Sequence, residues 1–388
     1  MKKQIVLHIG AAKCGSTAIQ NFLRLNNITL RDCGVLVPGT DMTVDGPVNG
    51  NHILFFEHAI INPTSAIRVR DRMNKILEAM DKDSYSKIII SAENICNQPS
   101  IIEFLAQDKC LEIIIVFYVR RQDDLIISAW HQWGLKSFGN FSDYLNTVVG
   151  ELGDWNRTVE TLEAAFGRSR IRVRPFRRDR LLGGDVVADF CDTAGIDCPE
   201  CINTGINANP SINENLGEMA NRIRDVFKDL HDKDFMEVIS GLIGSQAFKS
   251  DHRSFLLSID QRSEIYRRYF DGNEALKHRY FPDWGDAPLF EPPSSLDCSS
   301  PSDVEKLRAE SALLLRAVYG LALQSRARMP PLAAPTGRET AMGGDAAAAA
   351  GGGADAKGKK RRVDAQRPWT RQLTKRIRHA SKLLWPSL

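Results

Sequence analysis

The stretch that decides the fold is "IVLHIGAAKCGSTAIQNFL", residues 5–23. An apolar run enters a glycine-containing loop, and a helical pattern follows with Ser16 and Thr17 in its first turn. Successive backbone N–H groups of such a loop, together with the helix N-terminus, make a concavity for an anion. The lysine is out of place for a nucleotide triphosphatase. Walker-type loops read GxxxxGK[ST], with lysine after the second glycine. Here Lys13 lies inside the loop, between Gly10 and Gly15, and Ser16 takes the position of the Walker lysine. No acid follows a strand in the Walker-B manner, since "IIISAE" and "FYVRR" end otherwise. The pattern suits a single tetrahedral anionic group whose leaving oxygen needs one mobile cation. The plainer reading is a tight strand–helix turn that uses glycine for close packing.

Working outward, short apolar runs at 5–8, 87–91, 112–119 and 170–174 read as strands buried on both faces. Helical patterns at 16–26, 52–61, 66–80, 123–136 and 155–166 lie between them. Strand alternating with helix predicts an α/β fold: a P-loop-type central parallel sheet flanked by helices. Ligands of such sheets bind beyond the carboxyl ends of the strands. Residues 185–281 are mainly helical in pattern, including 213–230 and 260–270, and one more amphipathic helix is expected at 304–323.

The 388 residues are 43% hydrophobic and 26% charged, ordinary for a globular protein, with a net charge of +3. That balance is uneven. Residues 356–388 hold eleven Lys/Arg against one Asp, a local +10, which leaves about −7 (3 minus 10) for the rest. No apolar run is long enough to span a bilayer, and "MKKQIVLHIG" lacks the long core and cleavage site of a signal peptide. Eight scattered cysteines are expected to be reduced, packed thiols of a cytoplasmic protein. The lone pair Cys198 and Cys201 is a weak zinc signal.

A second stretch, "IIIVFYVRRQDDLIISAWHQW" at 113–133, delivers Arg120 at a strand end and Ser128 eight residues later on a helix. A guanidinium and a hydroxyl so placed can grip one phosphate together; alternatively Arg120 is a solvated strand end. Together the two stretches resemble the nucleotide-binding elements of the sulfotransferases that use 3′-phosphoadenosine 5′-phosphosulfate (PAPS). More narrowly, "HIGAAKCGSTAIQNFL" and "YVRRQDDLIISAWHQ" resemble a bacterial, carbohydrate-type branch that reads near HIGxxKTGSTxLQ and YVRRPDDxxxSxYxQ. "VRPFRRDRLLGGDVVADFCDTAGI" and "EIYRRYF" are similar to segments of the same branch, and the resemblance covers residues 3–284.

The resemblance implies that Ala12, Lys13, Cys14, Gly15, Ser16 and Thr17 hold the 5′-phosphosulfate, and Arg120 and Ser128 the 3′-phosphate. Lys13 then faces the bridging oxygen on which charge grows as sulfuryl departs. Cys14 stands in place of the branch's threonine and Gln122 in place of its proline; neither change removes a ligand. Two residues compete as general base. Glu93 lies just past the strand "KIIIS", where cytosolic members carry a catalytic histidine. His52 opens a helix in the region where glycosaminoglycan-type members carry an essential acid. His131 is a third candidate, and Trp130 and Trp133 are either sugar-stacking or core residues. Arg174 either touches nucleotide or acceptor sulfate or makes a structural ion pair.

The expected activity is metal-independent, in-line sulfuryl transfer from PAPS to a hydroxyl of a glycan or glycolipid, with the acceptor lined by 39–58 and 203–281. An ATP-dependent nucleoside or sugar kinase is the rival enzyme, and an inactive nucleotide-binding scaffold anchored by its tail the non-enzymatic one. The expected layout is a sulfotransferase domain at 1–290, with a PAPS-binding core at 1–180 and a helical acceptor side at 181–290. A linker and accessory helix follow at 291–324, a disordered low-complexity linker at 325–367 and a basic amphipathic tail at 368–388. Leu373, Ile377, Leu384 and Trp385 among the tail's basic residues suit a helix on an anionic membrane surface, which would make the protein peripheral at the inner face. A solvated basic tail is the alternative, and no specific nucleic acid is expected.

Overall fold

The computed structural model describes residues 4–11, 13–60, 63–82, 85–107, 112–198, 201, 211–248 and 253–328. The expected tail at 368–388, and all but the first residues of the linker at 325–367, lie outside the described residues. The chain divides into two units, Met1–Val318 and Tyr319–Leu388, and the first holds the sheet and the candidate site.

Five strands make one sheet: β1 (Gln4–His8), β2 (Val35–Leu36), β3 (Lys87–Ser91), β4 (Ile113–Val119) and β5 (Ile171–Pro175). Their order is β2-β3-β1-β4-β5 and every pairing is parallel. In register, Val6 of β1 sits between Ile89 of β3 and Ile114 of β4. All seven residues of β4 are buried, as a strand covered on both faces requires. The helix Pro99–Ala106 packs on Trp155–Phe166, and Ser16–Leu25 on Val186–Ala194. Right-handed crossovers put these two pairs on opposite faces of the sheet. The expected α/β architecture of a parallel sheet between helices is therefore the one observed.

Three elements differ from expectation. β2 is only two residues long, too short for an apolar run to reveal it. The helix expected over 123–136 is α-helical at Gln122–Ala129, then widens to a π-turn at Trp130–Gly134. The helix expected over 213–230 stops at Arg222, whereas that expected over 260–270 runs through Ile259–Tyr280 from a capping box of Ser258 and Gln261. The cysteines also need correction, because Cys33 and Cys198 are joined by a disulfide across 165 residues of sequence. Cys198 is thus committed elsewhere than to a zinc pair with Cys201.

A buried ion cluster fastens β4 to the long Ile259–Tyr280 helix. Arg262, 1% exposed, ion-pairs with Asp123 and reaches Asp124 Oδ1 at 3.2 Å. Arg121 Nε donates to Asp123 Oδ1 at 2.7 Å, and its Nη2 lies 3.1 Å from Asp297. Beside it, Gln122 Nε2 donates to Gly153 O at 3.1 Å and to Asn273 Oδ1 at 2.9 Å. Gln122 thus ties three segments together. Removing one partner of a buried pair strands the other charge, at a cost of about 3–5 kcal/mol. Arg262→Met is therefore expected to lower stability by that order in urea unfolding. The double variant Arg262→Met/Asp123→Asn should recover most of the loss, and no recovery would count against the pair.

Candidate active site

The strand order creates the site. Connections from β1 leave toward β2, and those from β4 leave toward β5, so a crevice opens between the carboxyl ends of β1 and β4. The loop after β1 and the start of the helix after β4 both deliver side chains there.

Lys13 adopts φ 68°, a left-handed conformation uncommon outside glycine, and Gly15 follows at φ 85°. Any Cβ at Gly15 would also sit 2.8 Å from the Phe176 ring, so that glycine is demanded twice. The Ser16–Leu25 helix begins directly after Gly15 with no side chain capping it. The leading N–H groups of an uncapped helix are anion donors in waiting. Cys14 is fully buried, and burial pushes its thiol up to about 12, which keeps it a neutral packing group. Ala12 lies outside the described residues.

Arg120 closes the crevice from the β4 side. Its Nη1 donates to the carbonyl of Lys13 at 2.8 Å, and its Cζ lies 5.8 Å from the centre of the Phe176 ring. Trp155 Nε1 donates to the Arg120 carbonyl at 2.7 Å and fixes the strand end from behind. Ser128 lies on the helix that starts two residues after Arg120 and is buried. Among the described residues no hydrogen bond links it to the loop. Arg121, by contrast, turns into the ion cluster and away from the crevice.

Glu93 is stitched in beside Lys13. The peptide N–H groups on either side donate to the β1 loop, Ala92 N to His8 O at 2.9 Å and Asn94 N to Gly10 O at 3.0 Å. Burial raises the Glu93 carboxyl above the ordinary glutamate range, while Lys13 and the Gln20 amide pull it back. Burial, and then Arg120, lowers the Lys13 ammonium, with Glu93 opposing them. Two cations and one carboxylate thus share a partly dehydrated space. Among the described residues no direct ion pair joins Lys13 to Glu93.

His52 is placed differently. It is wholly buried, with Nδ1 2.9 Å from Ser91 O and Nε2 3.0 Å from Pro38 O. Both ring nitrogens lie against main-chain carbonyls, so neither is directed at an acceptor hydroxyl. The ring pins the 38–52 loop to the end of β3. Gly50 helps, since a Cβ there would fall 2.2 Å from Gln20 O. His131 packs on Gly217, and Trp130 is buried against Phe141 and Tyr144, with Trp133 against the same cluster. Arg174 Nε donates to the buried Asp189 at 3.0 Å, the ion-pair alternative of the two foreseen for it.

Two site neighbours were not singled out from sequence. Gln20 sits one helical turn beyond Ser16, a spacing that puts it on the loop's side of the helix. His8 is a wholly buried strand residue whose Nδ1 lies 2.9 Å from Ser91 Oγ, and burial pushes its imidazole down to about 3. In sequence it is the last residue of an apolar strand, with no motif to mark it.

Among the described residues no three His, Cys, Asp or Glu side chains gather as a metal site, and no helix is long and apolar enough to cross a membrane. No family model matches the chain. An uncharacterized protein of Archaeoglobus fulgidus is 27% identical over 197 residues, covering 50% of this chain and 54% of its own; the chain thus spans about half the length of that relative. Among solved structures, a sulfotransferase from Alicyclobacillus acidocaldarius is similar at TM-score 0.34 and 13% identity, over 58% of this chain and 93% of its own. The sulfotransferase domain from the curacin biosynthetic pathway is similar at TM-score 0.31 and 11% identity, over 51% and 75% respectively.

Because Lys13 holds Glu93 down, its removal should let the carboxyl rise further. Carboxyl-carbon NMR titration is expected to place the Glu93 midpoint above the ordinary glutamate value of about 4.3, and higher again in Lys13→Met. A midpoint at or below that value in the wild type would contradict the described burial.

Proposed function

We propose that the protein is a sulfotransferase that moves the sulfuryl group of PAPS to a hydroxyl of a glycan or glycolipid. The observation that carries this reading is the hydrogen bond from Arg120 to the carbonyl of Lys13. It brings the loop lysine and the strand-end arginine, distant in sequence, into one crevice. Burial and then Arg120 lower the Lys13 ammonium, and Glu93 opposes them. A donor that is anionic at both ends supplies negative charge to both cations, and the uncapped helix start supplies N–H groups for it.

In this reading Lys13, Gly15, Ser16 and Thr17 hold the phosphosulfate, and Arg120 with Ser128 holds the 3′-phosphate. PAPS brings a sulfuryl group on a good leaving group. Glu93 takes the proton of the attacking hydroxyl as its oxygen bonds to sulfur. Lys13 and the loop amides meet the electron pair left on the bridging oxygen when the sulfur–oxygen bond breaks. A carboxyl raised by burial is better matched to proton abstraction near neutrality than an ordinary glutamate. His52 keeps a positioning role, holding the loop that borders the acceptor side. The basic segment 368–388 carries the protein to an anionic membrane surface, where lipid-linked acceptors lie.

Calorimetry with 3′-phosphoadenosine 5′-phosphate, ATP and ADP tests the donor. The bisphosphate should bind more tightly than either, and Arg120→Ala should weaken it about ten- to a hundredfold, the worth of charge-assisted hydrogen bonds of ~1.5–3 kcal/mol. Preference for ATP overturns the reading in favour of a kinase. Turnover of labelled PAPS on cell-envelope glycans should fall about 10²–10⁴-fold in Glu93→Gln, with bisphosphate affinity kept. Unchanged turnover removes Glu93 as base, and binding without any turnover in the wild type points to a scaffold.

A further inference from the structure

The Asp303–Arg328 helix carries more apolar surface than the described protein covers. It begins at a reciprocal cap: Ser302 N donates to Glu305 Oε2 at 2.8 Å, and Glu305 N to Ser302 Oγ at 3.3 Å. One face then packs inward. Leu313 is buried in a cluster with Ile212, Leu216 and Ile243, and Arg222 Nη1 lies 2.7 Å from Glu310 Oε2. Roughly a third of a turn around the helix, a second apolar face meets solvent. Val304 is 56% exposed, Leu307 61%, Leu314 54%, Leu315 71% and Val318 62%. Single exposed leucines are ordinary; a continuous stripe of them marks an interaction surface.

The spacing identifies the kind of partner. Val304, Leu307, Ser311, Leu314 and Val318 alternate three and four residues apart, the period of a seam between two helices. A lipid surface fits less well. Residues 303–318 hold three acids, Asp303, Glu305 and Glu310, against three bases, Lys306, Arg308 and Arg316, so no net charge draws this stretch to anionic headgroups. We propose that the stripe is the contact between two copies of this chain, helix against helix about a two-fold axis. About 100 Å² from each of the five large side chains gives ~500 Å² per copy and ~1,000 Å² in all, above crystal-contact size and at the floor for a specific, weakly held interface. Ser311 in the middle is small enough to let the two backbones approach closely, and it costs some affinity in return.

Sedimentation velocity on the full chain at tens of micromolar is the test. The wild type is expected to run as a dimer and Leu307→Glu/Leu314→Glu as a monomer with unchanged far-ultraviolet dichroism and melting. Mixing Leu314→Glu chains with Leu314→Lys chains should restore a dimer that neither forms alone, a gain that misfolding cannot imitate. A monomeric wild type, or a dimer that survives the double substitution, overturns the proposal. So does a monomer that floats with phosphatidylglycerol vesicles and loses them on the double substitution; that result assigns the stripe to lipid.

Discussion

The candidate site depends on one hydrogen bond, from the Arg120 guanidinium to the carbonyl of Lys13. It spans the crevice where β1 and β4 part company, and both ends of it are fixed from elsewhere. Trp155 holds the arginine's own carbonyl, while the stitches from Ala92 and Asn94 hold the loop. The left-handed backbone at Lys13 stores strain of about 1–3 kcal/mol, tolerable only where the surroundings over-determine it. Here the surroundings do so.

The fold was legible because its signals are local. β3 is centred on three isoleucines and β4 is a run of isoleucine, valine and aromatics, the pattern of strands covered on both faces, and helical patterns alternate with them. β2 is not legible in the sequence because two residues carry no periodicity. The placement of Lys13 and Arg120 was legible for a related reason: each sits at a fixed offset from a strand end, and strand ends of a parallel sheet share one edge. The position of His52 was not. In sequence it is a histidine after a glycine-rich loop, equally suited to chemistry or to holding a turn. Only the folded chain brings the carbonyls of Ser91 and Pro38 to its two nitrogens.

The motif "VRRQDD" shows how structural and site residues interleave. Its six residues run from the end of β4 into the start of a helix, yet of the five polar ones only Arg120 is turned to the β1 loop. Arg121, Asp123 and Asp124 belong to the ion cluster with Arg262, and Gln122 to the amide pair with Asn273. That cluster holds the helix start at a defined angle, so the arginine beside it inherits a rigid base. Position in a motif therefore does not by itself indicate contact with a ligand; the side-chain direction decides.

The strand order has a consequence for how the protein is made. β1 lies in the middle of the sheet, yet its partners are β3 and β4, with Ile5 opposite Ile88 on one side and Ile113 on the other. A chain emerging from the ribosome presents this apolar segment before either partner and must keep it from wrong ones until both have been synthesised. The glycine turn that follows it can take its working shape only after that wait.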